Sequence, residues 1–263
     1  MREYSPIISL TCNSRGVYSL DPTLGCHSGT KENKKGCYND CYAVKSAKHY
    51  GYDFSKTVLR SFENEAHKAK IRKEIDRIPL PFVRMGTMGD PSENWSHTLS
   101  ICHVIREQIQ LPLFDRLSKQ VVIITKHWSN LTDEQLIELS KYNICINTSV
   151  SALDNPEVLA NGLVQYERVK PYCKSILRVV SADFNRDNET GAALGLIQDG
   201  LFKQTGTLDT VLRVNKSNQW VKDGVIKIKQ GKFLGKKQWI SKFNKKTYLG
   251  HCSKCLEMCG VNI

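Results

Sequence analysis

The run Val121-Val122-Ile123-Ile124-Thr125 is β-branched and uninterrupted, the composition that a strand buried on both faces of a parallel sheet requires. Thr132-Asp133-Glu134-Gln135 follows it as a capping box opening a helix to about Tyr142. Ile144-Cys145-Ile146-Asn147-Thr148-Ser149-Val150 then reads as a second strand, and Asn155-Pro156-Glu157 starts a helix with proline in its first turn, running to about Val169. Further on, Ile176–Val180 is a strand, 190–203 a helix and 210–214 the last strand of the series. Strand and helix alternate with short loops, which is the signature of stacked βα units and a parallel sheet.

Toward the N-terminus the same alternation continues. Phe82-Val83-Arg84-Met85 is a short buried strand, followed by the turn-rich Gly86-Thr87-Met88-Gly89-Asp90-Pro91 and a helix over about 96–110, with a second short helix over 113–119. Val58, Phe62, Ala66, Ala69 and Ile75 recur at helical spacing, predicting a helix from Ser55 to about Ile78 that Pro79 and Pro81 end. Extended segments are expected around Ile7–Leu10 and Val17–Leu20. About six βα units result, fewer than the eight of a closed barrel. The expected architecture is α/β, a partial (βα)6 TIM-type barrel over residues 1–215, with a basic, aromatic, cysteine-containing C-terminal extension over 216–263. Parallel sheets bind ligands on the loops at the carboxyl ends of their strands. That face would gather Thr87–Asp90, Thr125–His127, Ser149–Ser151, Arg178–Asn185 and Arg213–Asn215, and Glu93 and Asn94 beside them.

No apolar run of the 263 residues is long enough to span a bilayer, and Met1-Arg2-Glu3-Tyr4-Ser5-Pro6 has no signal-peptide character. The expected location is cytoplasmic, where thiols stay reduced and ten cysteines do not read as structural disulfides. Cys26, Cys37 and Cys41 stand in a Gly-, Lys- and Asn-rich loop. Zinc would need a fourth ligand, for which His27 or Cys12 could serve; three thiolates alone suit a 4Fe–4S cluster with one open iron. Cys252, Cys255 and Cys259 form a second, C-x2-C-x3-C group, with His251 as a possible fourth ligand to zinc. Cys102, Cys145 and Cys173 fall inside helix, strand and loop patterns and read as buried small apolar residues.

The net charge of +12 suggests a polyanionic partner. Between Val214 and Tyr248 ten lysines meet a single acid, Asp223, with Trp220, Phe233, Trp239, Phe243 and Tyr248 interleaved. Lys236, Lys237, Trp239, Lys245 and Lys246 are the candidate nucleic-acid contacts, the lysines for phosphates and the indole for stacking on a base. A solvated lysine surface over a small aromatic core accounts for the same composition.

Cys41-Tyr42-Ala43, following Gly25-Cys26 and Gly36-Cys37, resembles the cluster loop of the radical S-adenosylmethionine (SAM) enzymes, in particular phage-type and spore-photoproduct-lyase-like members. Gly86–Pro91 is similar to their Thr-x-x-Asp-Pro segment, Ile123-Ile124-Thr125-Lys126 to their Thr-Lys strand end, Ser149-Val150-Ser151 to their Ser-x-Ser strand end and Leu177-Arg178-Val179 to their Arg-containing fifth strand. The similarity covers about residues 17–215. The cysteine spacing departs from the usual pattern, with ten and then three intervening residues in place of three and two. The resemblance implies a 4Fe–4S cluster on Cys26, Cys37 and Cys41, SAM held by Thr87 or Asp90 (amino group), Ser149 and Ser151 (ribose or carboxylate) and Arg178 (carboxylate), and an external electron donor. It also implies an auxiliary iron–sulfur cluster, with zinc as the alternative, on Cys252, Cys255 and Cys259. The expected substrate is a DNA base or nucleotide, in the host cytoplasm if the chain is phage-encoded. A peptide or small metabolite, or a non-enzymatic zinc-stabilised nucleic-acid-binding protein, are the other classes.

Overall fold

The computed structural model describes residues 2–27, 41–106, 119–212, 214, 216–228, 231–235, 238–241, 248–249 and 252–262. Seven strands form the central sheet: β1 (Thr11–Cys12), β2 (Tyr18–Ser19), β5 (Phe82–Met85), β6 (Gln120–Thr125), β7 (Ile144–Val150), β8 (Lys174–Ser181) and β9 (Thr207–Val211), in that order across the sheet. From β2 to β9 every neighbouring pair is parallel, and β1 adds an antiparallel edge. The six parallel strands thus follow one another in space as they do in sequence. The crossovers carry α1 (Tyr42–His49), α2 (Glu65–Asp76), α3 (Trp95–Arg106), α4 (Asp133–Leu139), α5 (Pro156–Val169) and α6 (Glu189–Phe202). A small two-stranded antiparallel sheet pairs β3 (Thr23–Leu24) with β4 (Val58–Leu59). After α7 (Gln219–Lys222), β10 (Gly231–Gly235), β11 (Gln238–Ser241) and β12 (Tyr248–Leu249) make a separate antiparallel sheet.

Local chemistry explains most of the element ends. Thr132 Oγ1 accepts the Gln135 amide at 3.2 Å while Gln135 Oε1 accepts the Thr132 amide at 2.9 Å, the reciprocal cap that starts α4. Asn155 and Asn188 cap α5 and α6 through their side-chain oxygens. The helix expected from Ser55 begins instead at Glu65, capped by Asn64 Oδ1, which accepts the His67 amide at 2.9 Å. Residues 58–59 are taken by β4 because Arg60, buried, pins this stretch down. Its amide donates to Pro22 O at 2.7 Å and its guanidinium to Ile7 O at 2.6 Å and Ser9 Oγ at 2.9 Å. The strand expected at Ile7–Leu10 forms later, at Thr11–Cys12, and the short helix expected over 113–119 lies outside the described residues but for Lys119.

The period-two alternation of β7 sorts its side chains. Gly162 of α5 lies against Val150 Cγ1 and Thr148 Cγ2, so this face packs on the helix layer. Cys145, Asn147 and Ser149 face the other way, into the concave side of the sheet. Residues 252–262 return to that concave side. Asn147 Nδ2 donates to Cys259 O at 2.9 Å, Lys174 Nζ to Val261 O at 3.1 Å and Cys252 N to Arg15 O at 2.7 Å. Gly260, at φ +94°, sits so close to Ile176 that an added Cβ would stand 2.9 Å from Ile176 Cγ1. Cys252, Met258, Cys259 and Val261 therefore pack against the main core. Among the described residues no helix is long and apolar enough to cross a membrane.

Candidate metal and cofactor site

The N-terminal cysteine loop leaves the sheet at a crossing of two glycines. Gly25 forms an isolated parallel bridge with Gly89, its amide donating to Met88 O at 2.9 Å. A Cβ on Gly89 would lie 2.4 Å from Thr23 O, and one on Gly25, at φ +81°, 2.0 Å from Lys56 O. No side chain fits in either place. The next residue, Cys26, is buried, and its amide donates to Phe54 O at 2.8 Å. Glu93 clamps the exit: Oε1 accepts the His27 amide and Oε2 the Thr57 hydroxyl, each at 2.6 Å. Cys41 re-enters the fold as the residue preceding α1, with an extended backbone, and the Tyr42 hydroxyl donates to the Thr87 carbonyl. Cys37 lies outside the described residues.

Two adjoining cavities open beyond the carboxyl ends of the parallel strands. The smaller, about 190 Å³, is lined by Cys26 and Cys41 together with Thr87, Asp90, Thr125 and Ser149. The larger, about 460 Å³, runs down the concave face and is lined by Cys41, Arg84, Ser149, Arg178 and all three C-terminal cysteines. Cys41, Tyr42, Gly86, Ile124, Ser149 and Val180 border both. Cys26 and the three C-terminal cysteines thus face neighbouring cavities, with Cys41 on the wall they share.

The polar residues expected at this mouth divide by the work their atoms already do. Asp90 is buried and its carboxylate accepts five hydrogen bonds: Oδ1 from the Ser92 amide (3.1 Å) and hydroxyl (2.9 Å) and the Thr125 hydroxyl (2.6 Å), Oδ2 from the Lys126 and His127 amides (2.9 Å each). It ties the loop after β5 to the loop after β6 and has little capacity left for a ligand. Ser151 is similarly committed, its hydroxyl donating to Val180 O at 3.2 Å and accepting the Leu153 amide at 3.2 Å. Lys126 pairs with Asp154 at 2.6 Å. Thr87 and Ser149 line the smaller cavity, whereas Arg178 lines the larger one only. Lys236, Lys237, Lys245 and Lys246 lie outside the described residues, and Trp239 is described only as part of β11.

Two groups were not singled out from sequence. Asp21, buried behind the loop after β5, accepts the Gly86 and Thr87 amides at 2.9 Å each on Oδ1 and so shapes that loop from beneath. Arg84, also buried, has its Nε 3.4 Å from Thr87 Oγ1. Burial alone would lower its pKa, but the Cys259 thiol, Tyr42 and Asp21 outweigh that and raise it. Asp21-Pro22 reads in sequence as a turn, and Phe82–Met85 as a buried strand with no local partner for its one charge, so neither announces these contacts.

Asp21 supplies a pH test. Burial raises its carboxyl pKa above the ordinary 3.8, offset in part by the Thr87 amide and by Arg84. Such a group holds its proton more tightly in the fold than in the unfolded chain. Its contribution is full below the unfolded pKa and is lost as pH rises through the raised folded one. From about pH 4 upward, urea-unfolding stability of the wild type should therefore fall relative to Asp21→Asn, whose amide does not titrate. Parallel pH slopes in the two proteins would contradict the assignment.

The thiols that line the interior are of the type that binds soft metals, Cys26 and Cys41 on the smaller cavity and Cys252, Cys255 and Cys259 on the larger. Cys26 and Cys41 share one cavity, and the Cys252 thiol is pushed up to about 11 by burial and by the neighbouring Cys259 thiol, with Cys255 adding to it. Crowded, buried thiols of this kind gain from a cation that removes their protons. Among the described residues no three His, Cys, Asp or Glu side chains are gathered as a metal-binding group. Comparison of the chain with protein-family models, with curated proteins and with solved structures finds no match.

Proposed function

We propose that the chain is a radical SAM enzyme built on a partial (βα)6 barrel, acting on a DNA base or nucleotide. The observation that carries this reading is the shared cavity of Cys26 and Cys41 at the carboxyl ends of β5 to β8, in a sheet whose six parallel strands follow one another in chain order. Cys26, Cys37 and Cys41 would hold a 4Fe–4S cluster. Bound there with SAM, that cluster supplies one-electron cleavage of the sulfonium to methionine and a 5′-deoxyadenosyl radical. The protein's part is orientation and shielding. Thr87 and Ser149 offer hydroxyls at the smaller cavity, and Asp90 holds the surrounding loops in register. Phe54, Ile124 and Val180 keep its wall apolar, which limits quenching by water. Cys252, Cys255 and Cys259 would hold a second metal group on the larger cavity.

Anaerobic purification tests the reading directly. Brown protein with iron and sulfide, forming 5′-deoxyadenosine from SAM and a reductant, is the expected result. Colourless protein with stoichiometric zinc and no 5′-deoxyadenosine would favour a zinc-stabilised nucleic-acid-binding protein. The substrate half of the proposal rests on the lysine-rich stretch. Charge reversal at Lys236, Lys237, Lys245 and Lys246 together should weaken DNA binding and flatten its salt dependence by up to about four contacts, while 5′-deoxyadenosine formation persists. DNA affinity that is the same across a salt series in both proteins would remove nucleic acid as the partner.

A further inference from the structure

Arg178 is built into the wall of the larger cavity and is only half used there. Its Nε donates to Thr210 Oγ1 at 2.7 Å, which fixes the plane of the guanidinium. Its Nη1 is buried and has no hydrogen-bond partner among the described residues. Buried charged donors are almost always satisfied, so an unpartnered one on a side chain that lines a cavity points to an acceptor reached by a small turn of the guanidinium. Arg15, Lys45 and Arg84 line the same cavity. Two carboxylates do so as well, Asp209 and Glu257, and Asp209 is engaged by the Ser181 hydroxyl at 3.3 Å. A wall with four cations and one planar fork held in place suits a dianion with several acceptor oxygens. At about 460 Å³ the space falls in the range of small-molecule sites.

We infer that the larger cavity is a substrate site that recognises the phosphate of a nucleotide, with Arg178 as the anchoring residue. The inference rests on the proposed function in calling this ligand the substrate and in taking its phosphate to be a nucleotide's; the anion site itself does not depend on that reading. It moves Arg178 away from the SAM carboxylate, because the smaller cavity, where Thr87 and Cys26 lie, does not include it. A nucleotide phosphate can come from a free mononucleotide or from a strand, and the two are separable by experiment.

Equilibrium binding to the full-length, unreduced protein provides the test. The probes are inorganic phosphate, each of the four deoxynucleoside 5′-monophosphates, the four uncharged deoxynucleosides and a short single-stranded oligodeoxynucleotide. SAM binding is measured separately. Wild type should bind at least one phosphate-bearing probe more tightly than its uncharged counterpart. Arg178→Gln should weaken that binding about tenfold or more, the loss of one charge-assisted pair, with SAM affinity retained. Arg178→Lys, which keeps the charge in the strand, should recover part of the affinity and guards against a folding defect in the glutamine variant. Monophosphate binding lost in Arg178→Gln points to a free nucleotide; oligonucleotide binding lost, with monophosphates inert, points to a strand.

Three results overturn the inference: no phosphate-dependent binding by wild type, equal binding by Arg178→Gln, or loss of SAM binding in both variants. If wild type binds nucleotides through Arg178 yet never binds SAM, the cofactor reading fails and the phosphate site stands.

Discussion

Anaerobically purified Cys41→Ala protein should lose the iron of the N-terminal site and form no 5′-deoxyadenosine above background. Cys41 borders both cavities, so no other thiol of the described residues can take its place at the junction. The fold should survive the change. Cys41 precedes α1 without a side-chain cap, and the helix loses only a half-buried thiol. Against wild type stripped of iron, a thermal midpoint within a few degrees, about 1 kcal/mol or less for a chain of this size, is the accompanying expectation, since bound metal itself stabilises the fold. Thermal scans and iron analysis on the same sample separate loss of the site from loss of the protein. Cys41→Ala protein that still cleaves SAM would refute the ligand assignment.

Gly89→Ala should damage both stability and site. The added methyl would stand 2.4 Å from Thr23 O and 2.8 Å from Gly25 O, and both atoms are backbone. Rotamer changes cannot relieve such a contact. The bridge between Gly25 and Gly89 must open, at a cost of about 2–4 kcal/mol, or about 4–16 °C in thermal midpoint. Cys26 follows Gly25 directly, so its thiol should move away from the cavity it shares with Cys41. Iron content per folded chain should therefore drop as well. Wild-type stability with full iron loading in Gly89→Ala would show that the crossing has room to spare. Gly51→Ala is a fitting control for simple glycine loss, since a methyl there would meet nothing within 4 Å, though its φ of +78° brings backbone strain of its own.

How much was legible in the sequence depends on how local each determinant is. The capping box at Thr132 and the β-branched run of β6 carry their instructions within a few residues, and they form where expected. The pairing of β3 with β4 was hidden because Val58 and Phe62 also fit a helical period. What decides between the two is pairing with Thr23–Leu24 and the burial of Arg60, contacts made from more than thirty residues away. At the site, the strand-end loops were legible as a set, since parallel sheets present them on one face. The division of labour within that set was not. Asp90 reads the same in sequence whether it binds a ligand or five neighbouring donors, and only the three-dimensional count separates the cases. The return of residues 252–262 to the concave face is likewise a tertiary fact, signalled by nothing in the local pattern of that segment.

That return has a consequence for timing. A ribosome delivers Cys26 and Cys41 well before Cys252, Cys255 and Cys259, which form one wall of the larger cavity. Until Cys259 and Val261 have emerged, Asn147 and Lys174 lack the carbonyls they hold in the finished fold. The nascent protein therefore carries an open trough where the mature one has a chamber. Whatever is to be enclosed there must arrive before residues 252–262 dock, or enter afterwards by the strand-end mouth.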